Sequence, residues 1–133
     1  MANILIVDDE RSIRLLLRAL LERENHHVFE ASNGRAGLDL YRERAFDLII
    51  TDLTMPEMDG LEFISELTKC FVNVKVIAMT GDSGSGSRLT TAKLLGAQST
   101  LKKPFSIDTV LTLVRYELGR LAEATILTRD QQI

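Results

Sequence analysis

Short apolar runs alternate with longer stretches of helical periodicity along the whole chain. Ile4-Leu5-Ile6-Val7, Leu48-Ile49-Ile50-Thr51 and Val74-Lys75-Val76-Ile77-Ala78-Met79 are rich in Ile and Val and bounded by turn residues. Runs of that kind predict strands buried on both faces of a parallel sheet. A weaker strand is predicted over His27 to Ala31, and a fifth over 98–101; the second and third runs place strands over 47–51 and 74–79. Between Glu10 and Glu24, Ile13, Leu16, Leu17, Leu20 and Leu21 fall on one helical face and Arg11, Arg14, Arg18, Glu22 and Arg23 on the remainder. Ser32-Asn33-Gly34 offers a turn and a capping residue ahead of a helix from about Arg35 to Glu43. Further helices are predicted from about Gly60 to Cys70 and Ser87 to Leu95, and a last one from near Ile107.

Five alternations of strand and helix predict one doubly wound α/β domain, a parallel sheet with helices on both faces and right-handed crossovers. The last helix carries Ile107, Val110, Leu111, Val114, Leu118 and Leu121 on one face, and Ala124, Ile126 and Leu127 continue past the expected end of a compact domain. The expected division is therefore a domain over 1–119 and a helical extension or tail over 120–133 that could serve as an interface.

With 133 residues, the chain is large enough to bury roughly two-thirds of its unfolded surface without staples. Its one cysteine, Cys70, forbids an internal disulfide, and no Cys/His spacing suits zinc. No signal peptide or membrane-length apolar run is visible, so a soluble protein of a reducing cytoplasm is expected. The net charge of −3, with Lys and Arg scattered, gives no basic stripe for nucleic acid.

The predicted strands stop at reactive residues: the first at Asp8-Asp9, the second at Asp52, the third at Thr80. Ligands of parallel sheets bind outside the carboxyl ends of strands. Asp8-Asp9 could simply cap the following helix. Asp52, however, leads into the loop Thr54-Met55-Pro56-Glu57-Met58-Asp59-Gly60 rather than directly into a helix. Crowded acids raise one another's pKa unless a cation sits among them, and carboxylate, carbonyl and water ligands suit Mg²⁺ with a phosphate. Thr80 supplies a hydroxyl donor and Lys103 a mobile cation, both fitted to a phosphoryl group. Asp52 as nucleophile, Mg²⁺, Thr80 and Lys103 together meet the needs of phosphoryl transfer onto a carboxylate.

From about Ala2 to Leu118 the chain resembles the receiver domain of two-component response regulators. The resemblance rests on Asp8-Asp9, on Asp52 ahead of Met55-Pro56 and Asp59-Gly60, and on Thr80-Gly81, Gly96-Ala97 and Lys103-Pro104-Phe105. It implies a five-stranded flavodoxin-like sheet in the order 2-1-3-4-5, for which a chemotaxis receiver is one of the standard examples. It implies that Asp52 accepts the phosphoryl group, that Asp8, Asp9, Asp52 and the Thr54 carbonyl hold Mg²⁺, and that Lys103 pairs with the acyl phosphate. The implied partners are a sensor histidine kinase or phosphotransfer protein and a downstream protein or output domain, with a phosphorylation-linked dimer as a further option.

The departure is Thr100, where receivers commonly carry an aromatic that turns inward as Thr80 moves; its loss is either tolerated variation or a sign that the switch is read through helix shifts. The Gly-rich segment 81–87 lacks the Lys-Ser/Thr of a Walker loop and is expected to be mobile. Thr54 and Asp82, each two residues past a site residue, are expected to tune phosphate lifetime. His26-His27 are expected at the surface or in a structural role, Cys70 half-buried, and Met55, Met58 and Met79 in packing. A regulatory switch is favoured over two alternatives: a phosphate-independent adaptor, and an aspartyl-phosphate phosphatase, which lacks here the second acid expected at Thr54.

Overall fold

The computed structural model describes residues 1–81 and 86–131, with side chains described through Gly119. Five strands and five helices alternate: β1 (Asn3–Val7), α1 (Arg11–Arg23), β2 (His27–Ala31), α2 (Gly34–Glu43), β3 (Leu48–Asp52), α3 (Gly60–Cys70), β4 (Val76–Thr80), α4 (Gly86–Leu95), β5 (Ser99–Lys102) and α5 (Ile107–Gln131). All neighbours pair in parallel, in the order β2-β1-β3-β4-β5. The expected three-layer α/β architecture is what forms.

Alternation along the strands divides the core in two. Leu5, Val7, Ile49 and Ala78 pack with Leu38, Phe63, Ile64, Leu67 and Leu89 of α2, α3 and α4. Ile4, Ile6, Ile50, Ile77 and Met79 pack with Leu17, Leu21, Val110 and Val114 of α1 and α5 on the other face. The central strand β3 is buried at every position, as a strand covered on both faces must be.

The strands nearest the reactive residues run one residue further than the apolar pattern alone predicts. Asp52 pairs with Met79 and Thr80 with Lys102, so both side chains stand on the last rung of the sheet rather than in loops. The start of β4 slips from Val74 to Val76, and β5 begins at Ser99 rather than 98. There Gln98 stands in for backbone: its Oε1 accepts the Val76 N–H at 2.7 Å and its Nε2 donates to the Val74 carbonyl at 3.1 Å.

Asn33 caps α2 as expected, accepting the Ala36 N–H at 2.8 Å, and Asp59 caps α3 through the Glu62 N–H at 3.0 Å. Three burial expectations are corrected. Leu16 is 43 % and Ile107 52 % exposed, because the buried stripe of α1 is Leu17, Leu20 and Leu21 and that of α5 centres on Val110 and Val114. Cys70 is exposed; the α3 stripe of Phe63, Ile64 and Leu67 continues at Phe71, which packs against the core instead. Met55, Met58 and Met79 are buried as packing residues. His27 is exposed, and His26 is half-buried with a structural bond: its Nδ1 accepts the Ala2 N–H at 3.1 Å. Ala124, Ile126 and Leu127 lie in α5 beyond the described side chains.

Candidate functional site

The pocket is built at the carboxyl ends of β1, β3 and β4, with β5 alongside. Val7 pairs with Thr51, which sets Asp8 beside Asp52 at the exits of adjacent strands. Asp8 is fully buried and Asp52 5 % exposed, while Asp9 turns to solvent. Carboxylate oxygens of Asp8, Asp9 and Asp52 lie within 4.8 Å of one another. The open depression above them, of about 370 Å³, is lined by Asp9, Glu10, Asp52, Thr54, Gly81 and Lys103.

Among the described residues, the ammonium that faces the buried carboxylates is that of Lys103. Lys103 Nζ lies 2.8 Å from Asp8 Oδ2, 3.5 Å from Asp52 Oδ2 and 3.7 Å from Glu10 Oε1. The backbone brings it there: Lys103 N–H donates to the Thr80 carbonyl at 2.7 Å, extending the β4–β5 ladder by one bond. Burial lifts the Asp52 carboxyl above its ordinary range, with the Asp8 charge adding to it; Lys103 and the Thr54 N–H pull the other way without cancelling the rise. Burial acts to lower the Lys103 value, but its hydrogen bond to Asp8 and the charges of Asp52, Asp8 and Glu10 outweigh it, so the ammonium is held above the usual lysine range. The side chain is therefore charged at neutral pH.

The cap reading of Asp8 is partly realised. Its Oδ1 accepts the Glu10 N–H at 2.9 Å, while Glu10, the N-cap of α1, makes no side-chain cap bond. Its other oxygen faces Lys103. A buried carboxylate, a second nearly buried one and a solvent-facing third, all hard oxygen donors balanced by one lysine, have the chemistry of a site for a divalent cation of the Mg²⁺ type.

Thr80 closes β4 with 1 % exposure, and Thr54 is exposed on the pocket rim. Among the described residues, a Cβ at Gly81 would meet the Lys103 side chain at 3.7 Å, an ordinary contact distance. Thr100 is half-buried opposite Ala78 on β5. Asp82 lies outside the described residues, and so do the central positions of the Gly-rich segment.

Gly60 is required by close approach, since a Cβ would fall 2.2 Å from the Asp52 carbonyl oxygen. The Gly60 N–H donates to the Leu53 carbonyl at 3.0 Å. Through these contacts α3 fixes the chain as it leaves Asp52.

Three residues escaped the sequence reading. Glu10 reaches Lys103, and its adjacency to Asp8-Asp9 was the available signal. Arg14 Nη1 donates to the Asp8 carbonyl at 2.7 Å; its position one turn past Glu10 on α1 was a weaker one. Arg88 Nη2 donates to the Leu53 carbonyl at 2.8 Å and stands 3.9 Å from Asp59, a long-range contact with no sequence signature.

A model of the response regulator receiver domain matches residues 4–115. Sporulation initiation phosphotransferase F of Bacillus subtilis is 37 % identical over 113 residues, covering 85 % of this chain and 90 % of that protein. KDP operon transcriptional regulatory protein KdpE of Escherichia coli is 38 % identical over 125 residues, 94 % of this chain but 55 % of its own length. The chain thus spans about half of that longer relative. Among solved structures, response regulator protein TrrA of Thermotoga maritima in complex with Mg(2+)-BeF superposes with a TM-score of 0.80 at 33 % identity, covering 88 % of this chain and 99 % of the other.

Proposed function

The chain belongs to the response regulator receiver domain family, and on that premise we propose that it is a phosphorylation-controlled switch whose phosphoacceptor is Asp52. The observation that carries the reading is the convergence of Asp8, Asp9 and Asp52 within 4.8 Å of one another, with the Lys103 ammonium 2.8 Å from Asp8 and 3.5 Å from Asp52.

In the proposed reaction an Asp52 carboxylate oxygen attacks the phosphorus of a phosphohistidine on a sensor kinase or phosphotransfer protein. The O–P bond forms as the P–N bond breaks, and the imidazole leaves with the bonding pair and takes up a proton. A small acyl phosphate can donate in the same way, with a carboxylate leaving. Asp8, Asp9, Asp52 and the Thr54 carbonyl would hold Mg²⁺, which would neutralise charge on the phosphoryl oxygens; a similar protein crystallised in complex with Mg(2+)-BeF supports the choice of metal. Lys103 turns from Asp8 and Asp52 to a phosphoryl oxygen, and the Thr80 hydroxyl donates to another. Thr80 and Lys103 are joined through one backbone hydrogen bond, so a shift of either is passed to β4 and β5. Burial raises the Asp52 pKa, and a cation held among the carboxylates would favour its ionised, nucleophilic form.

Hydrolysis of the acyl phosphate resets the switch, with Thr54 at the rim and Asp82 proposed to tune its rate. Exchanging both residues and finding an unchanged dephosphorylation rate would remove that assignment. The product is the protein's own modified state, so the domain is regulatory rather than metabolic. Contacts with a downstream protein or output domain, and phosphorylation-linked self-association, are the proposed readouts.

Intact mass after incubation with acetyl phosphate and Mg²⁺ tests the reading. One phosphoryl adduct on the wild type, absent from Asp52→Asn and from the metal-free sample, is expected. An equal adduct on Asp52→Asn, or none on the wild type from either acetyl phosphate or a phosphohistidine donor, would overturn it.

A further inference from the structure

We propose that Arg14, oriented by Glu30, is a positioning residue for the acidic pocket: it holds the turn between β1 and α1 so that Asp8 and Asp9 converge on Asp52. The proposal rests on the functional reading above and adds to it two residues outside the pocket itself.

The turn Asp8-Asp9-Glu10 has few fixed points. Its N-cap residue offers no side-chain bond to the helix. The Asp8 carboxylate bonds the Glu10 N–H and Lys103, and in the proposed function it must also serve the cation. A carboxylate shared three ways is a poor anchor for the chain that carries it. The Asp8 N–H is tied to the Ala31 carbonyl at 3.1 Å, and the side-chain anchor on the far side of that peptide is the guanidinium of Arg14, which donates from Nη1 to the Asp8 carbonyl at 2.7 Å.

Arg14 is itself held. Its Nε donates to Glu30 Oε1 at 3.1 Å, with the two side chains only 16 % and 20 % exposed. Glu30 sits on β2 opposite Ile6 of β1, two residues from Asp8, so the sheet itself sets its position. The second Glu30 oxygen accepts from Arg18 Nε at 2.5 Å. The arrangement fixes the turn through a strand-mounted acid, and the Arg14 charge is balanced by Glu30 rather than set against a cation in the pocket. A guanidinium presents several donors in a fixed plane and reaches the carbonyl and the carboxylate together, which a lysine cannot do with the same geometry. Outer partners of this kind typically change metal affinity by 10–100-fold when removed.

The test uses the full chain and Mg²⁺ alone as the probe, with dissociation constants from calorimetry well below each variant's melting temperature. Initial phosphorylation rates from acetyl phosphate across a Mg²⁺ series accompany them. Arg14→Met is expected to weaken Mg²⁺ binding about 10-fold, with most of the rate regained at saturating Mg²⁺. Arg14→Lys should recover part of the affinity, and Glu30→Gln should lose less than Arg14→Met and add little to it in the double variant. Arg18→Met removes the same partner's other ion pair without touching the turn, so it should leave the Mg²⁺ affinity unchanged even where it lowers stability. If Arg14→Met does not fold, Glu30→Gln and Arg14→Lys carry the same expectation at smaller size. A wild type that binds Mg²⁺ and accepts phosphate beside an Arg14→Met that binds within twofold of it overturns this proposal alone. A wild type that binds no Mg²⁺ overturns the proposal together with the functional reading.

Discussion

At the amino end of the sheet, Asp47 accepts the Asn3 N–H at 2.7 Å and His26 Nδ1 accepts that of Ala2 at 3.1 Å. Side chains there finish the hydrogen bonding of β1, and each acceptor answers one donor. At the carboxyl end, Asp8, Asp9 and Asp52 crowd around one lysine, with Glu10 within reach of it. The same strands thus end in local satisfaction on one side and in accumulated negative charge on the other. The difference points to where binding capacity lies: at the amino end acceptors are matched to donors, while at the carboxyl end carboxylates gather in excess of the lysine among them.

The largest test of that contrast is Lys103→Met. Removing the one cation leaves the fully buried Asp8 without its ion pair, which is expected to cost about 3–5 kcal/mol. Urea unfolding without Mg²⁺ measures it, and a loss below about 1 kcal/mol would mean that the carboxylates do not depend on the lysine. Next in size is Mg²⁺ itself, expected to stabilise the wild type by about 2.7 kcal/mol at a hundredfold excess over its dissociation constant. Asp9→Asn should lose most of this gain, and a wild-type melting temperature insensitive to Mg²⁺ would refute the cation site.

Asp52→Asn should move the other way. Burial and the Asp8 charge disfavour the ionised carboxylate, so the neutral amide should stabilise the metal-free protein by on the order of 1 kcal/mol, or a few degrees of melting temperature, while abolishing phosphorylation. A lower melting temperature for the variant would contradict it.

The smallest effect belongs to the amino end. Burial, aided by the N-terminal ammonium, holds His26 below the ordinary imidazole value against the pull of Glu24 and Asp47. The neutral ring is the folded form, and its Nδ1 must be unprotonated to accept the Ala2 N–H. The contribution is therefore complete above the unfolded value of 6.5 and is lost as pH falls from there through the lower folded value. His26→Asn keeps an acceptor and removes the titration. It should flatten the melting temperature between pH 7.5 and 5 by about a degree, because solvent still screens a group that is only half-buried; an identical pH profile would show that the bond does not matter.

The sequence was most informative where one residue type has one common use. Ile/Val runs marked three of the five strands, all five were placed to within two residues at either end, and Asn33 marked the start of α2, because burial on both faces and N-capping leave narrow choices. Asp8, Asp9, Asp52, Thr80 and Lys103 were all legible as strand-end residues, and the structure brings them to one edge. Less legible were features that depend on the phase of packing. Leu16 fits a helical stripe as well as Leu17 does, yet only contact with the sheet decides which is covered. Glu117 shows a related limit: on the apolar side of α5, it is fully buried and accepts from Ser99 Oγ at 2.6 Å, where its residue type alone would have left it in water. Arg14 and Arg88 read as ordinary surface arginines, because a backbone carbonyl as partner leaves no trace in composition.

The loop from Leu53 to Gly60 is tied shut at its ends, by the Gly60 N–H on the Leu53 carbonyl and by the lack of room for any side chain at Gly60. Its inner flanks, Met55 and Met58, are packed, while Thr54 on the pocket side and the tip at Pro56-Glu57 face water. For protein engineering the loop is a socket with a replaceable tip. Residues grafted between Pro56 and Glu57 can extend into solvent without moving Asp52, whereas a single insertion beside Leu53 or Gly60 would shift the strand exit that presents it.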